Sequence, residues 1–365
     1  MNIIYLNFSL MVGGIERLLV DIVNTAAQDE KNNIYLCIIN DQYDYSLVNS
    51  ISKKVNVIFL NRPVSGKKFK YIIEFAKLVR KNNIDVIHCQ NENSVKFSLI
   101  SKIVKSKVKV FTTVHDTNIY LNLKAYEVLL DRFICKKIIA ISDAVKEDIL
   151  KRKVPKEKVI KIYNAIDLGK FKEPIDKNKI YRSNIVIGNV SRVIPEKKGQ
   201  DILIKAISKL KERKYNIQCL FAGDALVEQL NYLNNLCNEY KVEENIEFLG
   251  NVDDIPNFLS SIDIFVMPSR YEGFGIALIE AMAKGIPCIA SNIDGPKEII
   301  KDNKYGLLFE SENYLDLADK IEYRINNMKI ENEDKIQRYL EQNYNIKLMI
   351  NNLYQVYKDS IRILD

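Results

Sequence analysis

Short apolar runs alternate along this chain with longer stretches whose apolar residues return every three or four positions. The runs read as buried strands and the longer stretches as amphipathic helices, an alternation that predicts parallel sheets with covering helices. In the first half the predicted strands are 2–8, 34–40, 55–60, 85–90, 108–115, 137–142 and 159–164, with helical patterns at 15–28, 71–81 and 143–152. The polar stretch DLGKFKEPIDKNKIYRS at 167–183 breaks the pattern and reads as a linker. Beyond it the pattern restarts: strands at 184–191, 217–223, 246–250, 262–268 and 287–291, and helices at 200–213, 227–240 and about 275–284.

The predicted fold class is therefore α/β, with two doubly wound domains at 1–168 and 184–344, a linker at 169–183 and an interdomain cleft. In such sheets ligands lie outside the carboxyl ends of the strands. A chain of 365 residues at 47% hydrophobic is long enough for two such cores, which argues against disorder.

Charge adds a direction to this picture. Residues 1–170 carry 28 Lys and Arg against 17 Asp and Glu, a net of +11, while the remainder carries 26 against 30, a net of −4. The excess is densest between Lys53 and Lys109, where basic residues alternate with Phe69, Tyr71, Ile72, Phe75 and Leu78. This pattern suits either a solvated face or an anionic membrane surface along 53–109. No nucleic-acid motif accompanies it.

The six cysteines are scattered, with no CxxC pair, which speaks against a disulfide framework or a zinc site and fits a reducing cytoplasm. The start MNIIYLNFSL lacks the features of a secretion signal, and no run of about 18 apolar residues offers a membrane span. The expected location is cytoplasmic.

Four stretches carry candidate chemistry. In SRYEGFGIALIEAMAKGIP (269–287) a strand ends at Pro268, a glycine-rich turn follows, and a helix start aims free backbone N–H groups above the strand ends. Glu280 interrupts the apolar helix. As a buried acid it needs a ligand, or else it pairs with Lys284 one turn on. GNVSRVIPEKKGQ (188–200) offers Arg192, Lys197 and Lys198 on a loop, groups suited to a pyrophosphate or simply to solvent. MVGGIERLL (11–19) permits close backbone approach at a helix start, although it is neither a GxGxxG fingerprint nor a Walker motif. TTVHDT (112–117) sets His115 at a strand end, and His88 ends another strand.

Taken in order, GGIER (13–17), TVHD (113–116), IAISDAVKEDI (139–149), IYNAIDLGKF (162–171), SRVIPEKKG (191–199), EFLGNVDDIP (247–256), the Glu-x7-Glu element and DGPKEII (294–300) resemble the retaining glycosyltransferases of family 4. The resemblance covers nearly the whole chain. It implies the GT-B fold, two Rossmann-like domains with the donor site in the cleft, and a terminal helix, 345–365, crossing back onto the first domain. It implies that Glu280 holds the nucleotide ribose and Glu272 the donor sugar, with Phe274, Gly275 and Ile276 near sugar and phosphates. Arg192, the amide of Gly14 and the lysine before Gly199 would hold the diphosphate. The family usually has one lysine there; of Lys197 and Lys198, we assign the contact to Lys198. Val252 and Asp254 match positions near the base, and His115 matches a histidine near the reacting carbon.

The implied reaction is retaining transfer from a nucleotide diphosphate sugar, UDP ranked ahead of GDP, to a saccharide or lipid-linked saccharide in envelope polysaccharide assembly of the capsule or O-antigen type. No cofactor is implied, and the absence of Asp-x-Asp gives no indication of a metal clamp. The enzyme would then sit on the inner face of the cell membrane. Two other readings stand beside it: a GT-B isomerase or hydrolase of nucleotide sugars, and a non-catalytic nucleotide-sugar-binding protein.

Overall fold

The computed structural model describes residues 1–65, 68–172, 184–328 and 333–362. The chain divides into two compact units, one of Met1–Ile166 with Tyr344–Asp365 and the other of Asp167–Asn343. The greater part of the predicted linker, 173–183, lies outside the described residues.

The first unit holds seven strands: β1 (Asn2–Asn7), β2 (Asn33–Asn40), β3 (Asn56–Arg62), β4 (Val86–Cys89), β5 (Lys109–Val114), β6 (Cys135–Ala140) and β7 (Val159–Lys161). They form one sheet in the order β3-β2-β1-β4-β5-β6-β7, every pairing parallel. Ile3, Ile4, Leu6, Ile87, Val110 and Ile138 are fully buried, because helices cover both faces and leave no polar side for alternation. The sheet order reverses between β1 and β4.

The second unit holds six strands: β8 (Ile185–Val190), β9 (Ile217–Ala222), β10 (Ile246–Gly250), β11 (Ile264–Met267), β12 (Cys288–Ser291) and β13 (Leu307–Phe309). Their order is β10-β9-β8-β11-β12-β13, again all parallel, with the reversal between β8 and β11. Its core gathers Ile187, Leu203, Ile207, Phe221, Leu233, Val266, Ile289 and Leu317 from strands and helices alike.

The predicted strands all form, most of them shorter by one or two residues at an end. The strand β13 was not foreseen, since three residues inside YGLLFES are too few for a period to register. Nor were the helices Val95–Val104 and Ala125–Ile134 among those named from the pattern.

The terminal helix Ile346–Arg362 belongs to the first unit. Ile166 donates its N–H to the Tyr344 carbonyl at 3.0 Å, and Ile346 donates to the Ile166 carbonyl at 3.0 Å. The Tyr354 hydroxyl donates to the Ala26 carbonyl at 3.1 Å, at the end of the Gly14–Ala26 helix. All six cysteines are free and buried, behaving as small apolar core residues.

One expectation moves. In the Lys68–Lys81 helix, Phe75 is fully buried and Tyr71, Ile72 and Leu78 are half-buried. The apolar stripe that suggested a membrane face is largely spent against the protein's own interior, leaving Phe69 exposed.

Candidate active site

The reversal of sheet order sets β8 beside β11, so the loops leaving their carboxyl ends are neighbours although some 75 residues separate them. The first loop carries SRVIPEKKG and the second SRYEGFG. Their backbones are joined directly: Arg270 donates its N–H to the Lys197 carbonyl at 2.8 Å, and Tyr271 donates to it at 3.3 Å. Gly199 has φ +68°, and any side chain there would run into the Pro268 carbonyl. Glycine is required by both conformation and space.

Across this seam Lys198 Nζ lies 2.7 Å from Glu272 Oε2, with the two side chains only 15% and 17% exposed. The Ser269 hydroxyl also reaches Glu272 Oε2, at 3.5 Å. Arg270, between them in sequence, makes a two-pronged ion pair with Asp201 at 2.7 and 2.8 Å. It also donates to the Pro195 carbonyl at 2.6 Å and to Glu312 Oε1 at 2.7 Å. Hydrogen bonding to Asp201 pushes the guanidinium's pKa above arginine's ordinary value. Arg270, Asp201 and Glu312 were not singled out from the sequence. The signal available was Arg270's place two residues before Glu272, which is weak without its partners.

A second buried network braces the end of β8. Asn189 donates to the Val266 carbonyl at 2.8 Å and accepts from Ser191 at 2.9 Å, and Gln200 donates to Ser191 and to the Arg192 carbonyl at 3.0 Å each. Arg192 itself is exposed, and its guanidinium has no partner among the described residues.

The helix Ile276–Ala283 begins at Gly275, and its first turn leaves the amides of Ile276 and Ala277 without intrahelical acceptors. Phe274 is buried, and Gly295 packs so tightly on its backbone that a side chain there would overlap it. Gly295 also donates to the Glu272 carbonyl at 3.3 Å, so DGPKEII supports the turn from behind.

Glu280 corrects an expectation: it is half-buried, not enclosed. The helix turns Leu278, Ile279 and Met282 into the core and leaves Ile276, Ala277 and Glu280 on its more open side. Val252 is half-buried, and Asp254 is exposed with its carboxylate capping the Ile255–Ser261 helix through the Asn257 N–H at 2.9 Å.

In the first unit Gly14 opens the Gly14–Ala26 helix, and nothing crowds the space a side chain would fill. His115 follows β5 directly, with Nε2 3.3 Å from Gln90 Oε1. Nδ1 of His115 and Nε2 of Gln90 are both buried without a hydrogen-bond partner among the described residues. Burial pulls the His115 imidazole down to about 4, against the opposing pull of Asp116. His88 is a structural residue: Nε2 meets the Thr113 hydroxyl at 2.7 Å and Nδ1 the Tyr357 hydroxyl at 2.6 Å.

Residues 12–170 match the model of Glycosyltransferase Family 4, and residues 170–344 that of Glycosyl transferases group 1. The chain is 27% identical over 347 residues to an Escherichia coli UDP-Gal:alpha-D-GlcNAc-diphosphoundecaprenol alpha-1,3-galactosyltransferase, covering 85% of each chain. It is 29% identical over 208 residues to the Staphylococcus aureus capsular polysaccharide biosynthesis glycosyltransferase CapM, covering 53% of each. Among solved structures, Anabaena Alr3699/HepE in complex with UDP superposes with a TM-score of 0.83 at 22% identity, covering 98% of this chain and 100% of that one. The two parallel sheets are those of the GT-B fold, and the chain belongs to glycosyltransferase family 4.

Proposed function

We propose that the protein is a retaining glycosyltransferase that moves a sugar from a nucleotide diphosphate sugar, UDP ahead of GDP, to a saccharide or lipid-linked saccharide of an envelope polysaccharide. The observation that carries this reading is the Lys198–Glu272 pair at the β8/β11 reversal, where cation and carboxylate stand together beside free helix-start amides. Family membership supports the transfer chemistry. The galactosyltransferase relative, named for a UDP donor and a diphosphoundecaprenol acceptor, supports the substrate classes.

In this reading Lys198, Arg192 and the amides of Ile276 and Ala277 neutralise charge that develops on the departing diphosphate. Arg192 is available for it, being exposed and without a partner among the described residues. The anomeric C–O bond to the nucleotide breaks while the new C–O bond forms on the same face, and the acceptor hydroxyl's proton passes to the departing β-phosphate oxygen. Glu272 accepts from sugar hydroxyls and Glu280 from the ribose. His115, held neutral by burial, and Gly14 keep the roles the family resemblance gives them, near the reacting carbon and the diphosphate. No metal or cofactor is part of the proposal. Among the described residues no helix is long and apolar enough to cross a membrane, and we place the enzyme in the cytoplasm against the inner leaflet.

The test is a thermal-shift and calorimetric screen of UDP- and GDP-sugars, followed by turnover of the best binder with and without acceptor. Acceptor-dependent transfer with the α-configuration of an α-linked donor retained is expected. Donor turnover that needs no acceptor would favour the isomerase or hydrolase reading, and binding without any turnover the non-catalytic one.

A further inference from the structure

Two neighbouring helices of the first unit carry apolar side chains that stay partly or largely exposed. On Val95–Val104 these are Leu99 and Ile103, and on Ala125–Ile134 they are Tyr126, Leu129 and Phe133. Within each helix the spacing is three or four, so each set forms one stripe. Ile103 is 79% exposed and Phe133 80%, a cost in solvent that a covering surface would remove.

The helices are tied together. Lys96 Nζ meets Glu127 at 2.5 Å, and Lys102 Nζ donates to the Ile134 carbonyl at 3.2 Å. Beside Phe133 runs a groove lined by Lys102, Lys136, Lys137 and Lys158, with Glu157 and Asp359 as its acids. Lys137 and Lys158 use their ammonium groups to hold the carbonyls of Glu157 and of Arg132 and Cys135, so the cations are fixed in place. Burial first, and the neighbouring Lys109 next, pull the Lys102 ammonium below its ordinary value, a strain that an anion would relieve.

We propose that this face is where the first unit lies on an anionic bilayer. Ile103, Leu129 and Phe133 enter the boundary between headgroups and acyl chains, and the lysine groove receives lipid phosphates. Charge complementarity selects the bilayer over a second copy of the chain: a symmetric dimer would set one lysine groove against another. The site differs from the stripe expected along the Lys68–Lys81 helix, whose apolar residues are largely used internally. The proposal rests on the lipid-linked reading of the acceptor only for its purpose, because its test does not depend on sugar transfer.

The experiment is co-sedimentation of the full chain with vesicles of phosphatidylcholine alone or mixed with phosphatidylglycerol, at about 0.15 M salt. Retention on the phosphatidylglycerol vesicles is expected, falling at least tenfold in the Ile103→Glu/Phe133→Glu double variant. Lys136→Glu should lower it by about fivefold or more. Ile103 and Phe133 are exposed, and the Lys136 side chain makes no hydrogen bond or ion pair among the described residues, so circular dichroism and UDP binding should be unchanged. That control separates this proposal from the donor-site reading. Failure of the wild type to bind anionic vesicles, equal retention of variants and wild type, or a dimer that the Ile103→Glu/Phe133→Glu change dissolves would each overturn it.

Discussion

Lys198 and Glu272, 74 positions apart in sequence, share a charge-assisted contact of 2.7 Å at the end of the second sheet. The pair sets the lysine's ammonium beside the glycine-rich turn and holds the acid in place. Lys198→Ala should weaken UDP binding by about tenfold or more, the loss of one charge-assisted hydrogen bond. Lys197→Ala, at a residue whose carbonyl does the structural work, should change it little. Isothermal titration of UDP decides between the two lysines, and equal effects would undo the assignment.

The two acids of the Glu-x7-Glu element should separate in kinetics. Glu280→Ala is expected to weaken the nucleotide itself, raising the KM for donor and the Kd for UDP. Glu272→Ala should leave UDP affinity within a fewfold and lower kcat, because its contact is with the sugar. Unchanged UDP affinity in Glu280→Ala would remove the ribose role.

Arg270 acts at one remove, through the loops it ties. Its fork fits the Asp201 carboxylate at 2.7 and 2.8 Å, and Asp201 is nearly enclosed. Arg270→Ala would strand that acid, destabilising the second unit by about 2–4 kcal/mol in urea unfolding. Arg270→Lys should recover only part of this, since an ammonium cannot reproduce the planar fork. If Arg270 also positions the Lys198 loop, the lysine variant at a temperature where it is folded will show a raised donor KM. Wild-type KM there would leave Arg270 a purely structural role.

Buried His88 predicts a pH dependence with a definite sign. Burial holds its folded pKa down to about 3, while an unfolded imidazole titrates near 6.5. Below about 6.5 the unfolded state therefore takes up a proton that the folded state refuses, and stability falls as pH drops through that window. At pH 5 the loss from His88 is about 2 kcal/mol. Urea midpoints measured at pH 7.5 and pH 5 should show it, and a His88→Phe variant should have a shallower difference between them. Parallel slopes would show that His88 is not the group responsible.

Much of the fold was legible from period alone, because most of the parallel strands are buried on both faces and so read as unbroken apolar runs. Glu272 and Glu280 drew attention as acids in and beside an apolar stretch, whereas the roles assigned to Arg192 and Lys198 came from the family resemblance. Glu280 was misjudged in degree: an acid within IALIEAMAK looks enclosed when its neighbours are apolar, yet which side of an eight-residue helix stays open depends on what packs against it. Arg270 and the Leu99, Ile103 and Phe133 stripes escaped notice, since an arginine or a phenylalanine is ordinary until its surroundings are known.

The amino-acid sequence by itself determined the strands, the helices, the break between two α/β halves and the chemical kinds of group at the strand ends. Those properties follow from local periodicity and from the cost of burying charge, both of which act on residues near one another in the chain. Only the tertiary structure decided that Lys198 meets Glu272, that Arg270 clamps Asp201, that Tyr357 from the last helix closes on His88, and that Phe133 stays in solvent. Each of these depends on the order in which parallel strands assemble, and that order brings together residues whose separation along the chain carries no signal of their contact.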